Sequence, residues 1–346
     1  MLTKRQEEIL KLIVMEYIKL AKPVGSKLIC DRLNCSSATV RNEMVELEEL
    51  GLLEKTHTSS GRVPSEKGYR YYVDNLMELK ELNGEDVFKL QTIFNNSQLE
   101  LSDVLSKSLE LISDITSYTS IVLDTKSHEN KLKEISVVPI NNEVVIVIVV
   151  TDQGYVEHKD VELHGVSLEE VKKTVKLINE LIIGTPIDEV SAKLEFEIKP
   201  IIAKYVKQHE VLYNAFYDVF TDISSKNINV VGKNNILKHQ EFNDLGKVKS
   251  IFSKLDDENV LEKIDKLEEK NSQYRENPKN IEVYIGHENG VDPDVTVIKT
   301  NYKTNKDEGT IAIVGPKRMD YENVVDNLKT LKVQLDSVFK KPDTNT

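Results

Sequence analysis

Residues 36–51 read Ser36-Ser37-Ala38-Thr39-Val40-Arg41-Asn42-Glu43-Met44-Val45-Glu46-Leu47-Glu48-Glu49-Leu50-Gly51, an order that predicts one helix with a polar face turned outward. The Ser36 hydroxyl can accept from the unpaired amides of a first turn, and Gly51 can adopt the left-handed conformation that ends a helix. Val40, Met44, Leu47 and Leu50 recur at i, i+4, i+7 and i+10, a stripe to be buried. Ala38, Arg41, Asn42 and Val45 then point the other way. A fork donor, an amide and small groups occupy the early turns, while Glu46, Glu48 and Glu49 crowd the last. A helix with this charge order offers its N-terminal half to a polyanion. Taken alone, the stretch suits an ordinary surface helix better than a reading head, so its neighbours decide.

Upstream, Ser26-Lys27-Leu28-Ile29-Cys30-Asp31-Arg32-Leu33 reads as a short helix capped by Ser26 and joined through Asn34-Cys35, which is helix-turn-helix spacing. Thr3 with Gln6 forms a capping box for a first helix, whose apolar residues Ile9, Ile13, Tyr17 and Leu20 lie on one side. Lys22-Pro23-Val24-Gly25 separates the two. Downstream, the runs 52–58 and 63–64 flank Ser59-Ser60-Gly61-Arg62, which predicts two short strands and a wing carrying arginine at its tip. Ser65 then caps a helix rich in tyrosine, 65–74, that carries Lys67 and Arg70. Tyrosine mixed with cations suits phosphate contact, and Tyr71 and Tyr72 suit packing on the first helix equally well. The candidate DNA-contacting residues are therefore Ser37, Ala38, Thr39, Arg41 and Asn42 on the helix, Ser59, Ser60 and Arg62 on the wing, and Lys67, Tyr69 and Arg70 after it. Arg41 matches a guanine edge and Asn42 an adenine edge.

The formal charge of −12 over 346 residues looks unsuited to nucleic acid until it is divided. Residues 1–77 hold 12 Lys and Arg against 11 Asp and Glu, a net of +1, which leaves 34 against 47, or −13, for the remainder. The acidic body repels DNA everywhere except at the head and so favours one docking pose. Cys30 and Cys35 are too few for a four-ligand zinc site and read as reduced thiols. Met1-Leu2 leads straight into a polar helix start, and the longest apolar run, 144–150, is too short to span a bilayer, so a soluble, cytoplasmic protein is expected. No enzyme motif survives inspection: Gly309 to Lys317 has the wrong spacing for a P-loop, 287–291 lacks the second histidine of a zinc-protease helix, and there is no Gly-x-Ser-x-Gly elbow. No cofactor or metal is expected.

At this point the run Ser36 to Asn42, then Leu47-Glu48-Glu49-Leu50-Gly51-Leu52-Leu53, and above all His57-Thr58-Ser59-Ser60-Gly61-Arg62-Val63-Pro64-Ser65-Glu66-Lys67-Gly68-Tyr69-Arg70-Tyr71-Tyr72-Val73-Asp74, closely resemble the heat-inducible transcription repressor family HrcA. Gly286-His287-Glu288-Asn289 and Ile313-Val314-Gly315-Pro316-Lys317-Arg318-Met319-Asp320-Tyr321 carry the likeness into the rest of the chain. The resemblance implies a winged-helix head, a GAF-like domain, and an inserted domain that dimerises. It further implies a dimeric repressor that binds an inverted-repeat operator ahead of chaperone operons and depends on the chaperonin GroEL. Heat stress would occupy the chaperonin and release those operons. The rival is a regulator whose GAF-like domain senses a small molecule.

The body itself reads more coarsely. A helical pattern over 84–117 breaks near Asn95-Asn96. Strand signals over 119–123, 132–140, 144–151 and 155–163 suggest one antiparallel sheet. Ser167 caps a helix to about Ile183, and 188–225 is helical with aromatic and aliphatic weight in Tyr205, Leu212, Tyr213, Phe216, Tyr217 and Phe220. A short strand at 229–231 and a charged helical region at 244–270 precede two or three strands, at 281–285, 295–302 and 310–314, and a closing helix, 320–339. The expected architecture is a multidomain α+β chain. It comprises a winged helix-turn-helix head at 1–77, a GAF-like domain at 78–184 and 278–341, and a largely helical dimerisation insert at 185–277. A tail from Pro342 is expected to be disordered.

Overall fold

Thr3 and Gln6 close their capping box, with the Thr3 hydroxyl accepting from the Gln6 amide at 3.2 Å and the Gln6 side chain accepting from Thr3 at 3.0 Å, and so begin α1 (Lys4–Leu20). The structure is a computed structural model that describes all residues except 1, 57–60, 80–83, 97–98, 100, 127–129, 153, 155, 164–165, 206–212, 215, 219, 221–226, 268–280, 305–306 and 340–346. Ser59, Ser60, the side chains of Tyr205 and Leu212, and the tail from Pro342 lie outside that description. α1 buries Ile9, Leu10, Ile13 and Val14 completely, a broader stripe than its spacing announced. α2 (Ser26–Leu33) starts one residue before the expected cap, from Gly25, which has no side chain to cap it, and the Ser26 hydroxyl is engaged instead with that of Ser37 at 2.8 Å. α3 (Ser37–Glu49) begins under Ser36, whose Oγ accepts from the Thr39 amide at 3.0 Å. Val40, Met44 and Leu47 are buried, whereas Leu50 is 48% exposed in the turn that leads to Gly51 at φ 73°.

β1 (Leu53–Lys55) and β2 (Arg62–Pro64) pair antiparallel, with Leu53 opposite Pro64. Arg62 also exchanges both backbone hydrogen bonds with Val24 at 2.9 Å, which ties the wing to the link between α1 and α2. α4 (Glu66–Tyr71) is capped by Ser65 and runs into a π-helical turn, Tyr72–Leu76. α5 (Gly84–Phe94) and α6 (Leu101–Thr116) follow, interrupted where Asn95-Asn96 predicted a break.

The strands do not form one antiparallel run. β3 (Thr119–Lys126) leaves its neighbours, while β4 (Leu132–Pro139), β5 (Val144–Thr151) and β6 (Val156–Glu162) make a three-stranded meander. After it come α7 (Leu168–Ile182), α8 (Ile187–Lys193), α9 (Lys199–Tyr205), β7 (Asn227–Val231), α10 (Leu245–Leu255), α11 (Glu258–Asp265), β8 (Ile281–Ile285), β9 (Val295–Lys303), β10 (Asp307–Pro316) and α12 (Tyr321–Phe339). The second sheet has the order β7-β3-β10-β9-β8. Successive side chains of a strand face opposite sides. Tyr284, Val297, Ala312 and Val314 share a core with Ile236, Phe242, Ile251, Leu255 and Ile264, and their alternates Val283, Ile298, Ile311 and Ile313 are buried as well. This sheet is therefore covered on both faces. The start of α12 reaches the second face, where Tyr321 Oη lies 3.4 Å from Thr296 Oγ1.

Two compact units divide the chain: Met1–Leu123, Ile228–Asn301 and Thr310–Ser337 in one, Asp124–Asn227, Tyr302–Gly309 and Val338–Thr346 in the other. The interrupting unit thus starts at Asp124 and includes β4–β6 together with α7–α9, where the sequence reading placed the insert at 185–277. The reason is where the apolar faces are satisfied. Val145, Val147 and Val149 share a core with Val171, Val175, Ile178 and Ile182 of α7 and with Leu194, Ile198, Tyr213, Phe216 and Phe220. Asn179 clamps the same layers, accepting from Ile135 N at 2.9 Å and donating to Ile135 O at 2.8 Å. The residues from β7 through α11 instead cover the five-stranded sheet.

Candidate nucleic-acid interface

Helical geometry places Ala38, Arg41, Asn42 and Val45 on one side of α3, and all four are exposed. Arg41 and Asn42 make no hydrogen bond or ion pair among the described residues. That isolation is selective. Every other described arginine ends on a carboxylate: Arg5 on Glu43 at 3.6 Å, Arg62 on Glu48 at 2.7 Å, Arg70 on Asp74 at 3.1 Å, Arg32 on Glu16 and Arg318 on Glu241. An unspent guanidinium beside an unspent amide, near a helix N-terminus without acids in its first turn, is what bidentate recognition of base edges requires.

The acidic half of α3 is held by its surroundings. Gln6 Nε2 donates to Glu46 Oε2 at 2.8 Å, and Glu43 and Glu48 carry the arginines just named. These pairs fix the helix on α1 and the wing and offset negative charge that would oppose a phosphate backbone. Their partners lie far away in sequence, so the acidic run alone could not announce them.

The remaining candidates divide. Ser37 and Thr39 are half-buried beside the exposed face, bonded to Ser26 and to Ser36, each at 2.8 Å. Arg62 is not at a wing tip: it begins β2, is buried, and its guanidinium is committed to Glu48. Lys67 is exposed, yet its Nζ donates to Leu50 O at 2.8 Å, a cation closing the C-terminal end of α3. Tyr69 is buried with its ring centroid 5.8 Å from that of Tyr321, and Arg70 is enclosed by Asp74, Glu288 and the Val283 carbonyl. Tyr71 donates to Glu7 at 2.9 Å; burial and that carboxylate push its hydroxyl up to about 12. Tyr72 donates to Glu322 at 2.7 Å. The tyrosine-rich helix thus packs inward, and Arg62, Tyr69 and Arg70, which the sequence offers as DNA contacts, are engaged within the protein. The Ser26–Ser37 pair locks α2 to α3, and its signal in the sequence is the second serine at the start of α3.

A family model described as a winged helix-turn-helix transcription repressor, HrcA DNA-binding, matches residues 1–76, and one described as the HrcA protein C terminal domain matches residues 102–325. The heat-inducible transcription repressor HrcA of Bacillus pumilus (strain SAFR-032) is 35% identical over 346 residues, covering 98% of each chain. The protein of the same name from Lysinibacillus sphaericus is 37% identical over 348 residues, covering 99% of each. A crystal structure of a hypothetical protein is 23% identical with a TM-score of 0.64, covers 98% of this chain and 99% of that one, and so shares its fold. No helix among the described residues is long and apolar enough to cross a membrane.

Proposed function

The chain belongs to the HrcA family of heat-inducible transcription repressors, DNA-binding regulators that are not enzymes, and from that premise we propose that it reads its operator with the exposed early turns of α3. Ser37, Ala38, Thr39, Arg41 and Asn42 form the reading surface, joined by Ser59 and Ser60 of the wing. The observation that carries this is the pair Arg41 and Asn42, exposed and without a partner among the described residues. Replacing either by Ala should cost about 1–3 kcal/mol of discrimination at one base position of each half-site and leave the other positions unchanged. Binding to a library of operator variants measures it. A uniform loss over all sequences would move these side chains to the phosphates.

The operator is an inverted repeat ahead of chaperone operons, bound in the cytoplasm by a homodimer, because two heads related by a two-fold axis read two-fold DNA. The five-stranded sheet between two helical layers supports a GAF-like body. Tyr213, Phe216 and Phe220 of the insert fill their own unit's core. The outer face of the meander is the better surface. Val144, Ile146, Ile148 and Val150 run down its centre half-buried, flanked by Val138, Ile140 and Val156, exposed at 47%, 57% and 58%. A patch of this kind marks an interaction site.

GroEL assists this repressor. Val144-Val145-Ile146-Val147-Ile148-Val149-Val150 is an uncharged β-forming run, hazardous until the meander covers it. Refolding from denaturant should give little operator-binding protein alone and severalfold more with chaperonin and ATP, as judged by gel shift. Equal recovery in both at elevated temperature would remove the chaperonin from the scheme and leave DNA binding intact.

A further inference from the structure

Two sequence runs, 286–289 and 313–321, have no part in reading DNA, and the structure shows what they hold. α4 works on both of its sides. Toward the reading helix, Ser65 Oγ donates to Gly51 O at 2.6 Å and Lys67 Nζ to Leu50 O at 2.8 Å. Gly68 approaches so closely that a Cβ there would stand 2.0 Å from the Leu52 carbonyl oxygen. Toward the body, Glu66 lies between His287 Nδ1 at 3.1 Å and Lys317 Nζ at 3.2 Å, and these bonds outweigh partial burial and hold its carboxyl below the usual range. Arg70 Nε donates to Glu288 at 3.2 Å, and Arg70 Nη2 to the Val283 carbonyl at 2.5 Å. Gly286, at φ 55°, leaves no room beside Glu66, because a Cβ would sit 2.3 Å from its carboxylate.

We infer that Glu66, Arg70, His287, Glu288 and Lys317 are positioning residues for operator binding: they fix the tilt of the reading helix on the body and thereby the half-site separation a dimer accepts. A fork donor shared between a carboxylate and a carbonyl defines an orientation, and α4 is too short to absorb a rotation between its two sides. The seam's charges remain partly open to water, where ion pairs contribute direction more than stability. This inference rests on the reading of α3 as the DNA-contacting helix of a dimer.

The test uses the full chain with Arg70→Glu, Glu288→Arg and the double exchange, on a duplex with one operator half-site and on inverted repeats lengthened or shortened one base pair at a time. The unaltered protein should prefer one spacing by about tenfold or more. Each single variant should bind the half-site about as well as the unaltered protein and lose most of the spacing preference, and the double exchange should restore it. Glu66→Gln, a milder change, should flatten the profile partway and serves if an exchange variant fails to melt cooperatively. A sharp, unmoved optimum in the variants that fold, or equal losses on half-site and full operator, overturns the inference. An Arg41→Ala, Asn42→Ala protein that keeps the full base discrimination of the unaltered one overturns the reading of α3 instead.

Discussion

Val147→Lys is expected to abolish folding of the three-stranded unit. Val147 is 1% exposed and belongs to a core shared with α7. The substitution forfeits about 1.5–3 kcal/mol of apolar burial and adds an unpaired ammonium whose burial costs several kcal/mol more. Together these approach the whole stability of a typical domain, about 5–15 kcal/mol. Limited proteolysis should cut within 124–227 at temperatures where the unaltered unit resists. A variant that melts within a few degrees of the unaltered protein would mean that β5 presents its other face to the core.

One residue further on, the same substitution should have the opposite signature. Ile148 faces away from that core, across from Ser136 on β4 and His158 on β6. Ile146→Lys with Ile148→Lys should leave the unit folded, because both half-buried side chains lie on the face away from its core, at a cost of about 1 kcal/mol each. It should, however, separate the protomers. Full-operator affinity should then fall by about 10²–10⁴, because the second half-site contact ceases to be intramolecular. Sedimentation together with gel shift decides the matter: a variant that remains dimeric clears this face of any role in association.

The head was legible in the sequence because its rules are local. Thr3, Gln6, Ser36 and Gly51 mark helix ends within a few residues of themselves, and periodicity gave α3 its inner and outer faces. What escaped was long-range. The serine at 26 reads as a cap and is spent on Ser37; the arginine at 62 reads as a wing tip and is spent on Glu48. Tyr69 and Arg70 carry the composition of a phosphate site, but their partners lie more than 200 residues away. The body failed for a related reason: strand signals state that a segment pairs, not with which partner. Hence β3 was grouped with β4–β6, and the insert was placed at 185–277. A deletion with those ends would remove β7 from the main sheet and expose the core of the meander.

The strand order β7-β3-β10-β9-β8 also fixes a timetable. β3 is hydrogen-bonded between β7 and β10, and β10 starts only at Asp307. Synthesis proceeds at roughly 5–20 residues per second, so the roughly 180 residues between these strands leave one edge of β3 unmatched for about ten to forty seconds on the ribosome. The described core that the meander shares with α7 lies between 132 and 220, so that core can close during the interval. The middle of the chain can therefore finish while the main sheet still waits for β10.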